Sequence, residues 1–248
     1  MPDESSPRSG ERVFLSAEWR DLVMLNYEVA PTLLQPCVPP GTELDFFDGL
    51  TFVSLVGFRF LRTKLLGAVS VPFHVNFDEI NLRFYVRREV GGETRRGVVF
   101  VREIVPRAAI ALVARLAYGE KYISCPMRHT VDTSAPDAMV RYEWRLDGRW
   151  CGLEAHVSFA PARAREGSLE QFITEHYWGY SATRGGGALE YHVSHVPWRV
   201  WTSDAAGFRG NADALYGPEL GAIVRRPPDS AFVADGSPVL VFAATPVS

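Results

Sequence analysis

Cysteine is scarce in this chain: three residues, Cys37, Cys125 and Cys151, among 248. An odd count with no C-x-x-C spacing supports neither a disulfide framework nor a zinc ribbon, and it fits free thiols in a reducing cytoplasm. Long apolar runs are missing as well. The longest, Ala108 to Ala114, is far too short to cross a bilayer, and MPDESSPRSGER at the N-terminus is polar with no apolar segment behind it. No secretory leader and no membrane association are therefore expected. Charge of one sign is also missing, because the net charge is −3 with acids and bases mixed along the chain. No basic stripe points to nucleic acid. A P-loop, a dinucleotide fingerprint, G-x-S-x-G and H-E-x-x-H are all lacking. No cofactor and no metal are expected.

What the chain has is ordinary globular composition, 47% hydrophobic and 22% charged, with enough length to bury a substantial core. Most of it reads as short strands. In TFVSLVGFRF, period-two alternation puts Phe52, Ser54, Val56, Phe58 and Phe60 on one face. NLRFYVRR runs into Gly91-Gly92 and RRGVVFVREI returns, which predicts a hairpin whose arginines, Arg87, Arg88, Arg95 and Arg96, decorate a solvated tip. RYEWRL, Asp147-Gly148 and RWCGLEAHVSF predict a second hairpin. ALEYHVSHVPWRVW and SPVLVFAATP add further strands. Many closely spaced strands point to a largely antiparallel β-barrel, since closure removes exposed edges.

Helices are few. A short turn is expected at APTLLQPCVPP, a longer helix at RAAIALVARLAYG behind Pro106, and another opening at Ser168, whose pairing with Gln171 is a capping box. The expected organisation is a disordered tail over residues 1–12 and one domain over 13–248. His192-x-x-His195 is the nearest thing to a metal motif. On a strand, however, residues i and i+3 face opposite sides, so one pocket or core histidine and one surface histidine are expected instead. His176, in EHYWGY, reads as packed under aromatics.

Three stretches carry a resemblance. RDLVMLNYEVAPTLLQPCVPPGTEL resembles the opening of acetoacetate decarboxylase-type proteins. NFDEINLRFYV is similar to their aromatic-x-Glu strand, and Tyr118–Arg128, YGEKYISCPMR, is similar to their G-x-E-x-x-x-x-P-K-K segment. Within that superfamily FHVNFDEINLRFYV, ITEHYWGYS and YHVSHVPWRVW resemble the YqjF-like family of uncharacterised proteins, over about Phe14 to Val241. The fold this implies is an antiparallel acetoacetate decarboxylase-like barrel with a few short flanking helices.

The superfamily's activity depends on a lysine after the proline that forms a Schiff base, its pKa depressed by a second lysine beside it; acetoacetate decarboxylase is the standard example of that activation. Here those positions are Met127 and Arg128. A thioether cannot condense with a carbonyl, and a guanidinium that stays protonated cannot replace the amine. Lys121, the one lysine near this segment, would sit about 20 Å from Met127 along an unbroken strand at roughly 3.3 Å per residue. By the same resemblance Glu79 corresponds to the pocket glutamate and Arg20 to the pocket arginine. Arg20, Glu79 and Arg128, with Met127, Tyr177 and His195 around them, are expected to hold a small organic molecule that is anionic or hydroxylated. Glu79 is expected to pair with Arg20 first and Arg128 second.

Three functions are compatible with this reading: acid/base chemistry by Glu79 and Arg20 on a carboxylate- or carbonyl-bearing metabolite, non-catalytic ligand binding, or a structural barrel whose Arg–Glu pair only fixes the wall. A homo-oligomer is compatible with all three.

Overall fold

Strand-forming segments dominate the chain, and several are buried on both faces. The computed structural model describes residues 8, 10–66, 69–70, 75–106, 122–133, 138–158, 160–203 and 205–247. The helix expected at RAAIALVARLAYG, and Lys121 after it, lie outside these residues.

The longest strands are β1 (Val13–Val29), β2 (Thr51–Leu65), β3 (Phe77–Val90) and β4 (Glu93–Val105). They pair antiparallel in the order β1–β2–β3–β4. The β3–β4 hairpin turns on Gly91 (φ 59°) and Gly92 (φ 84°), left-handed positions that glycine occupies without strain.

A second hairpin is built from β6 (Ala138–Leu146) and β7 (Arg149–Val157) around Asp147 and Gly148, flanked by β5 (Met127–Asp132). Further on come β8 (Trp178–Ala182), β9 (Ala188–Ser194), β10 (Arg199–Thr202), β11 (Ala205–Arg209) and β12 (Ser230–Phe242). Strand β8 pairs parallel with β4, β9 pairs with both β8 and β12, and β12 returns to β1. That circuit closes the barrel.

Strands β5, β6, β7 and β11 form a separate antiparallel sheet packed outside the barrel. This second layer explains why β3 is buried on both sides. Its apolar residues, Ile80, Leu82, Phe84 and Val86, belong to the core shared with Val140, Tyr142, Trp144 and Leu153 of the outer sheet. The alternate face, Phe77, Glu79, Asn81, Arg83 and Tyr85, is turned to the barrel interior. The usual assignment is thus inverted: the greasy face of β3 looks out of the barrel and the polar face looks in. The two layers approach closely at Gly57, where a Cβ would come within 2.9 Å of both Ile80 and Tyr142.

Helices are short. α1 (Pro31–Leu34) falls where expected, and α2 (Leu169–Thr174) begins at Ser168, whose hydroxyl accepts from the Gln171 amide at 3.3 Å. The reciprocal half of the capping box is displaced, since the Gln171 side chain accepts from Gly167 N instead. α3 (Asp213–Val224) is interrupted at Gly217 (φ 78°) and Pro218. Among the described residues, no helix is long and apolar enough to cross a membrane.

The hairpin arginines are not a solvated tip. Arg88 and Arg95 both donate to Glu190 of β9 (2.9 and 2.8 Å), and Arg96 donates to buried Asp45 at 2.7 Å. Only Arg87, paired with Glu43, remains well exposed among the four. The partners come from distant segments, which no local pattern around Gly91-Gly92 could reveal.

Candidate functional site

The barrel encloses a cavity of about 110 Å³. An apolar cavity of roughly 150 Å³ accommodates benzene, so this space suits a molecule of a few heavy atoms. Its walls are chiefly aromatic, with Trp19, Phe60, Phe100, Tyr191 and Trp198 among them, and Glu79, Arg83, Glu103, Tyr122, His176 and His195 contribute the polar groups.

Glu79 is 5% exposed. The Asn81 amide donates to Oε1 at 3.1 Å, and the charge of Arg83 acts on the carboxyl as well. Loss of water outweighs both, and the carboxyl is pushed up to about 7. Arg83 follows Glu79 by four residues on the same face of β3, and its guanidinium donates to the Ile173 carbonyl at 3.2 Å. Its Nε is buried with no partner. Glu103 enters from β4, opposite Asn81. A register irregularity near Leu82/Arg83 lets both Phe100 and Glu103 face inward although three positions separate them. Tyr122, beside Glu103, has its hydroxyl held protonated by burial and by the charges of Glu103 and Glu79.

His195 follows β9, stacks on Trp198 (centroids 4.2 Å apart) and meets the tilted ring of Tyr177 (4.8 Å). Burial pushes its imidazole down to about 4. His192 faces away from the cavity, as alternation requires, but it is buried rather than surface-exposed. It lies between Trp178 and Phe242, with Nδ1 2.8 Å from Glu11. Among the described residues no cluster of metal-ligating side chains occurs.

The residues singled out from sequence are not all brought together. Glu79 and His195 line the cavity, whereas Arg20 does not. Asp21 sits at φ 55° in a bulge of β1, so Trp19 rather than Arg20 points inward. Arg20 instead donates to Glu18 (2.9 Å) and to the Gly236 carbonyl (3.1 Å). Its expected pairing with Glu79 is replaced by the proximity of Arg83, which alternation along β3 would have identified.

Met127 and Arg128 lie away from the cavity as well. The chain passes from Tyr122, at the cavity, to the outer sheet by Met127, which packs against the core between the layers. Arg128 is exposed, paired with Glu143 at 2.7 Å and stacked over Trp150 at 4.1 Å. Neither reaches the cavity. Tyr177 is buried behind His195 and borders an outer cleft with Arg96 and Phe172.

The arrangement defines a class first. A closed barrel with a charged interior and an outer sheet is the acetoacetate decarboxylase-like fold. The acetoacetate decarboxylase of Legionella pneumophila superposes with a TM-score of 0.66 at 14% identity, covering 100% of this chain and 92% of that one. The enduracididine biosynthesis enzyme MppR, complexed with the condensation product of pyruvate and imidazole 4-carboxaldehyde, gives 0.67 at 14% identity, with 100% and 92% covered. Residues 16–238 match DUF2071, described as an uncharacterized conserved protein, and the chain belongs to that family. It is similar to the uncharacterized protein YqjF of Bacillus subtilis (strain 168), 24% identical over 188 residues that cover 75% of each chain.

Proposed function

We propose that the barrel cavity binds a small carbonyl- or carboxylate-bearing metabolite and that Glu79 exchanges a proton with it, with no imine intermediate. The observation that carries this reading is a carboxyl raised to about 7 inside an aromatic chamber. Such a group is close to half ionised near neutral pH, so it can both take and return a proton. When a proton leaves the carbon next to a carbonyl, charge develops on the oxygen. The partnerless Nε–H of Arg83 is a fixed donor suited to that oxyanion.

The ligand class draws on two structural neighbours, one named for acetoacetate and one complexed with pyruvate.

Proton exchange tests the reading without knowledge of the product. Wild-type protein in D₂O is expected to wash deuterium into the methyl groups of acetone or pyruvate faster than buffer does, followed by proton NMR. Glu79→Gln should reduce that rate by about a hundredfold or more. Binding without any exchange would leave only a non-catalytic ligand protein. Absence of both would overturn the reading.

A further inference from the structure

His176 takes no part in the chemistry assigned to Glu79, yet it lines the same cavity. Its Nε2 lies 3.1 Å from Asp45 Oδ2, and that oxygen also accepts from Arg96 Nε at 2.7 Å. Burial alone would raise the Asp45 carboxyl, but the hydrogen bonds and charges of His176 and Arg96 hold it below its ordinary value. A carboxylate only accepts, so Nε2 must carry the imidazole hydrogen. Burial, aided by Arg96 and Arg83, keeps the ring neutral. Nδ1 is thereby left as a bare lone pair, and it is buried with no partner. Tyr85 (4.7 Å between centroids) and Phe172 (5.0 Å) flank the ring.

The same cavity holds the opposite kind of orphan. Arg83 Nε and Trp19 Nε1 are buried donors without acceptors. A ligand that satisfies these groups carries a hydroxyl to donate and an oxygen to accept. Charge narrows the class further. Among the described residues that line the cavity, Arg83 is the one guanidinium beside two carboxyl groups, Glu79 and Glu103, so an added full negative charge would be poorly compensated.

We propose that the natural ligand is a small uncharged hydroxy-carbonyl compound, its hydroxyl donating to His176 Nδ1 and its carbonyl accepting from Arg83. This rests on the cavity being the binding site. Asp45 is a positioning residue here, acting through the tautomer of His176.

Hydroxyacetone, acetone and methoxyacetone are suitable probes, titrated against ¹⁵N-labelled protein and followed by NMR. The methoxy compound keeps the oxygen and lacks the donor. Wild type is expected to bind hydroxyacetone about tenfold more tightly than the other two, the value of one satisfied hydrogen bond. In His176→Phe that preference should vanish. Equal affinities for hydroxyacetone and acetone in wild type would overturn the inference while leaving the cavity as the site. Failure of all three to perturb cavity resonances would overturn both. The wild-type imidazole ¹⁵N spectrum gives an arm independent of any variant: an unprotonated Nδ1 is expected, and a protonated one would refute the assignment.

Discussion

Replacing Glu79 by glutamine should make the protein more stable, and only above a defined pH. In the folded chain the Glu79 carboxyl is raised from 4.5 to about 7, first by burial, with Asn81 and Arg83 opposing. Between those values the folded state holds a proton that the unfolded chain has released. Stability therefore falls as pH rises through this window. The loss is slight at pH 4.5 and levels off once pH passes about 7. At roughly 1.36 kcal/mol per unit it amounts to about 3 kcal/mol.

Glutamine keeps an oxygen for the Asn81 amide and never ionises, so it removes the penalty. For a chain of this length that gain corresponds to a rise in Tm of roughly 6–12 °C near pH 8. Near pH 4 the two proteins should melt together. Differential scanning calorimetry of both across this range measures the effect directly. A Tm difference that does not change with pH would refute the argument, as would a variant less stable at pH 8. Stabilisation combined with loss of proton exchange would mark Glu79 as a residue kept at a cost to the fold.

Three further outcomes are expected. Glu190→Ala leaves Arg88 and Arg95 without their shared carboxylate and should cost about 3 kcal/mol in chemical denaturation; a loss below about 1 kcal/mol would mean the arginines find water instead. Gly179→Ala places a methyl on the Tyr191 ring, which lines the cavity. The overpacking should cost about 1–3 kcal/mol and displace the ring enough to weaken acetone or pyruvate binding, and unchanged affinity would contradict it. Borohydride with acetoacetate should leave no covalent adduct by intact-mass measurement; an adduct on Lys64 or Lys121 would establish the imine route that the proposed function excludes.

Much of the barrel wall was legible from sequence. Alternation in Phe52–Phe60 named residues that do share a face, because the side-chain period of a strand is a local property of its backbone. Gly91-Gly92 and Asp147-Gly148 announced their hairpins for an equally local reason, the positive φ that those turns demand. Alternation along β3 also puts Arg83 in phase with Glu79, whereas the resemblance points to Arg20.

The rest depended on neighbours distant in sequence. The bulge at Asp21 reverses which residue of β1 looks inward, and it exists only in the pairing of β1 with β2. The irregularity that brings Glu103 inward likewise exists only between paired strands. Met127 belongs to the outer sheet, where it shares with Trp144, its partner on β6, the face packed on the core between the layers. His176 owes its partner to Asp45, 131 positions away in the chain. Sequence alone determined which side chains travel together along a strand. Which side of the barrel wall they face was decided by the tertiary structure, because a strand's two faces are equivalent until other strands close one of them off from water.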